Sequence, residues 1–123
     1  MAAIHPGQLI APLVLEPSGI SQSALARRLG FNQPQPVNEL VNGKRGFTPK
    51  MALLFEQVTD GAFPAVFWLT AQALYDSAIA REGLSVGRRS AVDPVTLSGT
   101  TSSIARDAGC EPLLKLARQL EQL

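Results

Sequence analysis

The stretch Ser21–Arg45, SQSALARRLGFNQPQPVNELVNGKR, decides how this chain is read. It describes two short helices joined by a glycine turn and closed by a second, basic turn. Ser21 is placed as an N-cap, because its hydroxyl can accept one of the backbone N–H groups that a helix start leaves unpaired. Ile20 before it and Leu25 within the helix have the spacing of a hydrophobic staple. Leu25 and Leu29 share one apolar stripe, and Arg27 and Arg28 stand near the helix end, where positive charge suits the dipole. Gly30 ends that helix. Val37, Leu40 and Val41 then fall at i, i+3 and i+4, so a second helix also has one face to bury. Its opposite face carries Gln35, Asn38, Glu39 and Asn42. Asn42-Gly43 supplies the left-handed stop, and Lys44-Arg45 follows at once.

Two helices about a glycine turn, the second short and rich in amides on its open face, form the pattern of a helix-turn-helix. Asn and Gln side chains can bind adenine bidentately in the major groove, and lysine and arginine beside them can hold phosphates. The same residues also fit a helical hairpin whose polar face only meets water. Charge separates the regions. Between Ser21 and Lys50 stand five basic residues (Arg27, Arg28, Lys44, Arg45, Lys50) against one acid, Glu39. Between Met51 and Glu82 stand four acids (Glu56, Asp60, Asp76, Glu82) and only Arg81. A basic segment inside a chain of net charge +1 points to a local footprint for a polyanion.

Outward from this core, residues 1–4 read as loose and His5-Pro6-Gly7 as a turn. Leu9, Ile10, Leu13 and Val14 mark a helix from about Gln8 to Glu16 that either starts near Pro12 or kinks there, and Pro17-Ser18-Gly19 breaks the chain after it. Thr48-Pro49 is an N-cap followed by a first-turn proline, opening a helix through Met51, Ala52, Leu54, Phe55 and Val58 that ends near Thr59-Asp60-Gly61. Pro64 opens a longer helix reaching about Glu82 and stopping before Gly83. Its residues Phe67, Trp68, Leu74 and Tyr75 read as packed in the core or in a dimer seam. The composition from Leu84 to Ser103 turns to Ser, Thr, Gly and Val, as expected of a linker. Glu111-Pro112 starts a last helix, where Leu113, Leu116, Leu120 and Leu123 form a narrow seam for a partner helix or for the chain's own body. The expectation is an all-α chain: a five-helix domain over residues 1–83, then a linker and C-terminal helix over 84–123.

Chemistry is sparse. The 123 residues suffice for one core, burying roughly 60–70% of the unfolded surface. The single Cys110 can form no internal disulfide, so a reducing cytoplasm is the expected home, and Cys110 reads as a small buried apolar residue before a reactive thiol. His5 is the only histidine, and no CxxC or HxxxH spacing occurs, so no metal site is expected. Nucleophile-elbow, phosphate-loop and dinucleotide-turn motifs are absent from the sequence, and the carboxylates are scattered. No catalytic residue, no cofactor and no membrane partner is expected; no apolar run approaches the roughly 20 residues of a membrane span.

With these segments in order, the chain resembles the HigA-type antitoxins, a branch of the Xre/lambda-repressor-like DNA-binding proteins. The resemblance rests on His5-Pro6-Gly7, Ser21-Gln22-Ser23-Ala24-Leu25-Ala26, Asn38-Glu39-Leu40-Val41-Asn42-Gly43-Lys44-Arg45-Gly46 with Thr48, and Phe67-Trp68-Leu69 with Gln72 and Tyr75-Asp76. It spans about two thirds of the chain. It implies a five-helix lambda-repressor-like fold that dimerises and binds a palindromic operator in its own promoter. It also implies a partner toxin, a small basic RelE-like ribonuclease, which the antitoxin blocks. Carried onto this sequence, Ser21 and Gln22 start the second helix, where Gln22 would hold a phosphate or an outer base. Gln33, Gln35 and Asn38 would read bases, Lys44 and Arg45 would clamp the backbone, and Arg28 and Asn32 would also contact DNA. In a two-fold dimer the reading helices would lie on the order of 34 Å apart.

The sequence departs from that family in three places. Gly30–Pro36 is one residue longer than the usual turn and carries Pro34 and Pro36. Gln35, preceding a proline, is expected outside the helical region, so that the reading helix begins only at Pro36 and has no arginine of its own. Gln8 stands where the family often has an acid, and the tail from Leu84 onward lies outside the resemblance. Two other readings stay open: a stand-alone repressor of the same family, and a protein-interaction module with impaired DNA binding. Leu113, Leu116 and Leu120 are the expected partner-binding residues in either the antitoxin or the module.

Overall fold

A computed structural model describes residues 4–84 and 92–123, and these stretches belong to two compact units. The described residues are helical, without strands.

In the first unit the chain enters through a 3-10 turn, Pro6–Leu9, a π turn, Ala11–Leu15, and a short α-helical end, α1 (Glu16–Ser18). The helical segment therefore starts before Gln8 and continues through Pro17 and Ser18, further at both ends than sequence periodicity indicates. Pro12 explains its form. Proline has no N–H, and its ring crowds the carbonyl four residues back, so inside a helix it removes an α-helical bond and distorts the turn around it. The backbone widens here, and the Glu16 N–H donates to the Ala11 carbonyl five residues back. Gly19, at φ 71°, makes the break.

α2 (Gln22–Arg28) begins as read: Ser21 Oγ accepts the Ala24 N–H at 3.1 Å. Leu25 is fully buried, and Ile20 packs against the same core. Gly30, at φ 95°, closes the helix, with Gly30 N–H donating to Arg27 O and Phe31 N–H to Ala26 O, the paired bonds of a Schellman stop.

α3 (Gln35–Val41) corrects the expectation for Gln35. The helix begins at Gln35, with Pro34 as its N-cap and Pro36 in its first turn. First-turn N–H groups have no intrahelical acceptor, so neither proline forfeits a bond, and Val37 and Asn38 N–H both reach the Pro34 carbonyl at 3.1 and 3.0 Å. Full burial of Val37 and Leu40 on one face outweighs the local bias against a helical residue before proline.

α4 (Pro49–Val58) is capped by Thr48, whose Oγ1 accepts the Met51 N–H at 3.2 Å. It turns at Asp60 (φ 53°) and Gly61 into α5 (Ala65–Leu84). α5 passes through Gly83 instead of stopping before it. A glycine in an exposed helix costs only about 1 kcal/mol, too little to end one. Ile10, Leu25, Val37, Leu40, Phe55 and Trp68 are fully buried and form the centre of the unit. Phe47 stacks on Trp68 (centroids 4.9 Å, planes 17° apart) and Phe55 meets Trp68 edge-on at 5.2 Å. Of the four residues read as core or seam, Trp68 is core, Leu74 and Tyr75 are half-buried, and Phe67 is exposed.

The second unit corrects the linker reading. Residues 85–91 of that span, like residues 1–3, lie outside the described residues, and 92–100 have no regular structure, but α6 (Thr101–Asp107) occupies the end of it. Thr100 Oγ1 accepts the Ser103 N–H at 3.1 Å, and Gly109, at φ 78°, closes the helix. The Ser/Thr-rich composition that reads as linker is here a cap and a first turn. α7 (Glu111–Glu121) starts where Glu111-Pro112 places it. Cys110 is exposed at its N-cap and is not the buried apolar residue expected.

Candidate nucleic-acid interface

The rotation of α3 follows from its buried side. Val37 and Leu40 point into the core, so Gln35, Asn38 and Asn42, at i, i+3 and i+7, share the outer side. Gln35 and Asn42 are exposed; Asn38 and Glu39 are half-buried. Asn32 and Gln33, in the turn before α3, are exposed as well. Ser21 is exposed at the start of α2, and Gln22 is half-buried in its first turn. Arg27 and Arg28 are both exposed at the end of α2; only Arg28 stands among the residues expected to touch DNA.

The basic turn is tied back onto α3. Gly43, at φ 74°, stops the helix with its N–H on Leu40 O, and the Glu39 carbonyl accepts both Lys44 N–H (2.9 Å) and Arg45 N–H (3.2 Å). Lys44 is exposed. The Arg45 guanidinium donates to Glu39 Oε1 at 2.8 Å, with the two side chains 45% and 29% exposed. A pair so open to solvent is worth at most about 1 kcal/mol, so a phosphate can replace the carboxylate at little cost. Glu39 thereby screens one of the turn's cations. Sequence reading marks Glu39 as a polar-face residue and misses this pairing, which needs the chain reversal at Gly43.

Support from behind was also missed. The Phe47 N–H donates to Gln72 Oε1 at 2.8 Å, and His5 Nδ1 accepts the Gly7 N–H at 2.9 Å. The signal was present as His5-Pro6-Gly7 and Gln72, but neither has a chemistry that marks its role. Among the described residues no group of three or more His, Cys, Asp or Glu is placed to hold a metal ion, and no helix is long and apolar enough to cross a membrane. The arrangement offers what a binding face needs: directed amides, flanking cations and a rigid backing.

No family model matches the chain. Virulence-associated protein I of Dichelobacter nodosus is 38% identical to it over 82 residues, 67% of this chain and 73% of that protein. The structure is similar to that of PA4674 from Pseudomonas aeruginosa in complex with its operator DNA (28 bp), with TM-score 0.67 and 31% identity over 76% of this chain and 100% of that one. It is equally similar to the Pseudomonas aeruginosa antitoxin HigA with the higBA promoter, with TM-score 0.69 and 29% identity over 77% and 100% of the two chains. By this likeness, over whole solved chains at 31% and 29% identity, the chain belongs to the HigA-type antitoxins, a branch of the Xre/lambda-repressor-like helix-turn-helix proteins.

Proposed function

We propose that this chain is an antitoxin and autorepressor that binds operator DNA in its own promoter and neutralises a small basic ribonuclease toxin. The carrying observation is its match to the full length of an operator-bound chain at 31% identity, with an amide-bearing helix face exposed beside a basic turn. In this reading Gln33, Gln35 and Asn38 meet base edges, and Ser21, Gln22, Asn32, Arg28, Lys44 and Arg45 hold the backbone on either side. The helical start at Gln35 supports that role, since it brings the side chain onto the face of Asn38. The protein acts as a homodimer in the cytoplasm, with a seam near Phe67, Leu74 and Tyr75, and by binding alone, without catalysis or a cofactor.

The division of labour is also proposed: residues 1–83 bind DNA, and 84–123 form the toxin-binding arm, with Leu113, Leu116 and Leu120 in contact. On the arm Leu113 and Leu116 are exposed and Leu120 is half-buried. Fluorescence anisotropy on the chain's own upstream DNA, against a scrambled duplex at several salt concentrations, tests the repressor. Preference for the upstream duplex with a steep salt slope is expected; equal weak binding to both duplexes overturns it. Co-expression of a chain ending at residue 83 with the toxin of the neighbouring gene tests the arm. Loss of growth rescue is expected, and full rescue would place the toxin contact elsewhere.

A further inference from the structure

The basic turn Gly43–Phe47 is bonded to α3 at its first end, beside the buried His5 ring, and to Gln72 at its second; neither His5 nor Gln72 stands among the residues proposed to contact DNA. At the first end, a β-carbon on Gly43 would lie 3.9 Å from His5 Cγ. His5 is itself held in place: its ring is buried, Nδ1 accepts the Gly7 N–H, and Tyr75 of α5 meets it edge-on with centroids 4.9 Å apart. Gly7 lies so close to α3 that a β-carbon there would fall 1.7 Å from the Leu40 carbonyl oxygen. At the second end, the Phe47 N–H donates to Gln72 Oε1, and Gln72 Nε2 donates to Asp76 Oδ1 at 3.0 Å, which fixes the amide's orientation. A β-carbon on Gly46 would come 3.1 Å from Gln72 Cδ, so the turn lies flat on that amide. Gln72, Tyr75 and Asp76, at i, i+3 and i+4, form one ridge along α5.

We propose that His5 and Gln72 are positioning residues for DNA binding: they lock the turn that carries Lys44 and Arg45 onto α5 before DNA arrives. This rests on the operator-binding reading. A short loop bearing two long cations ordinarily loses backbone freedom when it meets phosphates, and a backbone already anchored at each end escapes that loss. Neither His5 nor Gln72 needs to touch DNA for its removal to weaken binding. The effect must run through Lys44 and Arg45, and this separates positioning from general support of the fold.

The test is a mutant cycle on the full chain, read by fluorescence anisotropy on its upstream duplex across a salt series. Gln72→Ala should weaken binding on the order of ten-fold and flatten the salt slope by about 1, with an unchanged far-UV circular dichroism spectrum. Gln72→Glu with Asp76→Asn keeps an acceptor for Phe47 and a donor beside it, and should restore affinity. In a Lys44→Gln, Arg45→Gln background, Gln72→Ala should cost nothing more. If Gln72→Ala does not fold, His5→Asn carries the same cycle, since asparagine keeps a cap acceptor but withdraws the ring from Gly43. An equal loss in both backgrounds, or an unchanged salt slope, overturns the positioning role while leaving operator binding intact. Wild-type protein that treats upstream and scrambled DNA alike overturns the operator reading and this inference with it.

Discussion

α3 and α7 are built from the same local materials and end in opposite situations. Each is short, each carries a proline at its second helical position, and each lines one face with branched aliphatic side chains. In α3 that face disappears: Val37 and Leu40 are fully buried between α2 and the Pro6–Leu9 turn. In α7 much of it stays open: Leu113 is 67% and Leu116 48% exposed, Leu120 is half-buried, and among the described residues of its unit the helix packed against it is α6, where Ala105 is buried. An amphipathic stripe therefore states a demand for burial without saying what meets it. In α3 the chain itself meets the demand, and the by-product is an outward row of amides. In α7 nothing within its own unit, among the described residues, meets it in full.

This contrast can be broken or sharpened by measurement. Leu40→Ala should cost roughly 2–5 kcal/mol of unfolding free energy by urea denaturation, because it empties a closed site. A loss below about 1 kcal/mol would mean that α3 is not clamped as described. Gly7→Ala should destabilise by about 1–3 kcal/mol, since the new methyl must push the first turn off the Leu40 carbonyl; a neutral outcome would show that this approach relaxes freely. Asn38→Ala should cost roughly 1–3 kcal/mol of binding at one base pair of the operator and nothing at the others, as read from a panel of single-substitution duplexes. Uniform loss across the panel would remove Asn38 from base reading. Ser21→Ala should cost about 1 kcal/mol of stability through the lost cap. Smallest of all, Leu116→Ala should change stability by no more than about 0.5 kcal/mol. A cost matching that of Leu40→Ala would show α7 already covered in the free protein.

Particular residues show how far the sequence could be read. Ser21, Gly30, Gly43, Thr48 and Pro49 announce helix ends because capping chemistry is local: a hydroxyl or a left-handed glycine acts within three residues of itself. Val37, Leu40, Phe55 and Trp68 announce core positions through their periodicity. Local rules misled at Gln35, where the bias before proline is real but smaller than the gain from burying the α3 face. They misled again at Thr100–Asp107, where a short helix of Ser and Thr imitates a linker, and at Cys110, whose exposure depends on what lies around α7. The Arg45–Glu39 pair was invisible for a related reason, since it needs the turn at Gly43 to fold the chain back on itself.

By itself, then, the sequence determined the helical class, the order of the helices and most of their ends, because caps, turns and periodic stripes are short-range physics. It also carried the residues of a family likeness, spread from His5 to Asp76. Only the tertiary structure decided which stripes are covered, where α3 truly begins, which cation is already paired, and that His5 and Gln72 brace the basic turn. Those are relations between residues far apart in the chain, such as Phe47 with Gln72 and His5 with Tyr75. No local pattern encodes a partner that distant; it exists only once the helices have packed.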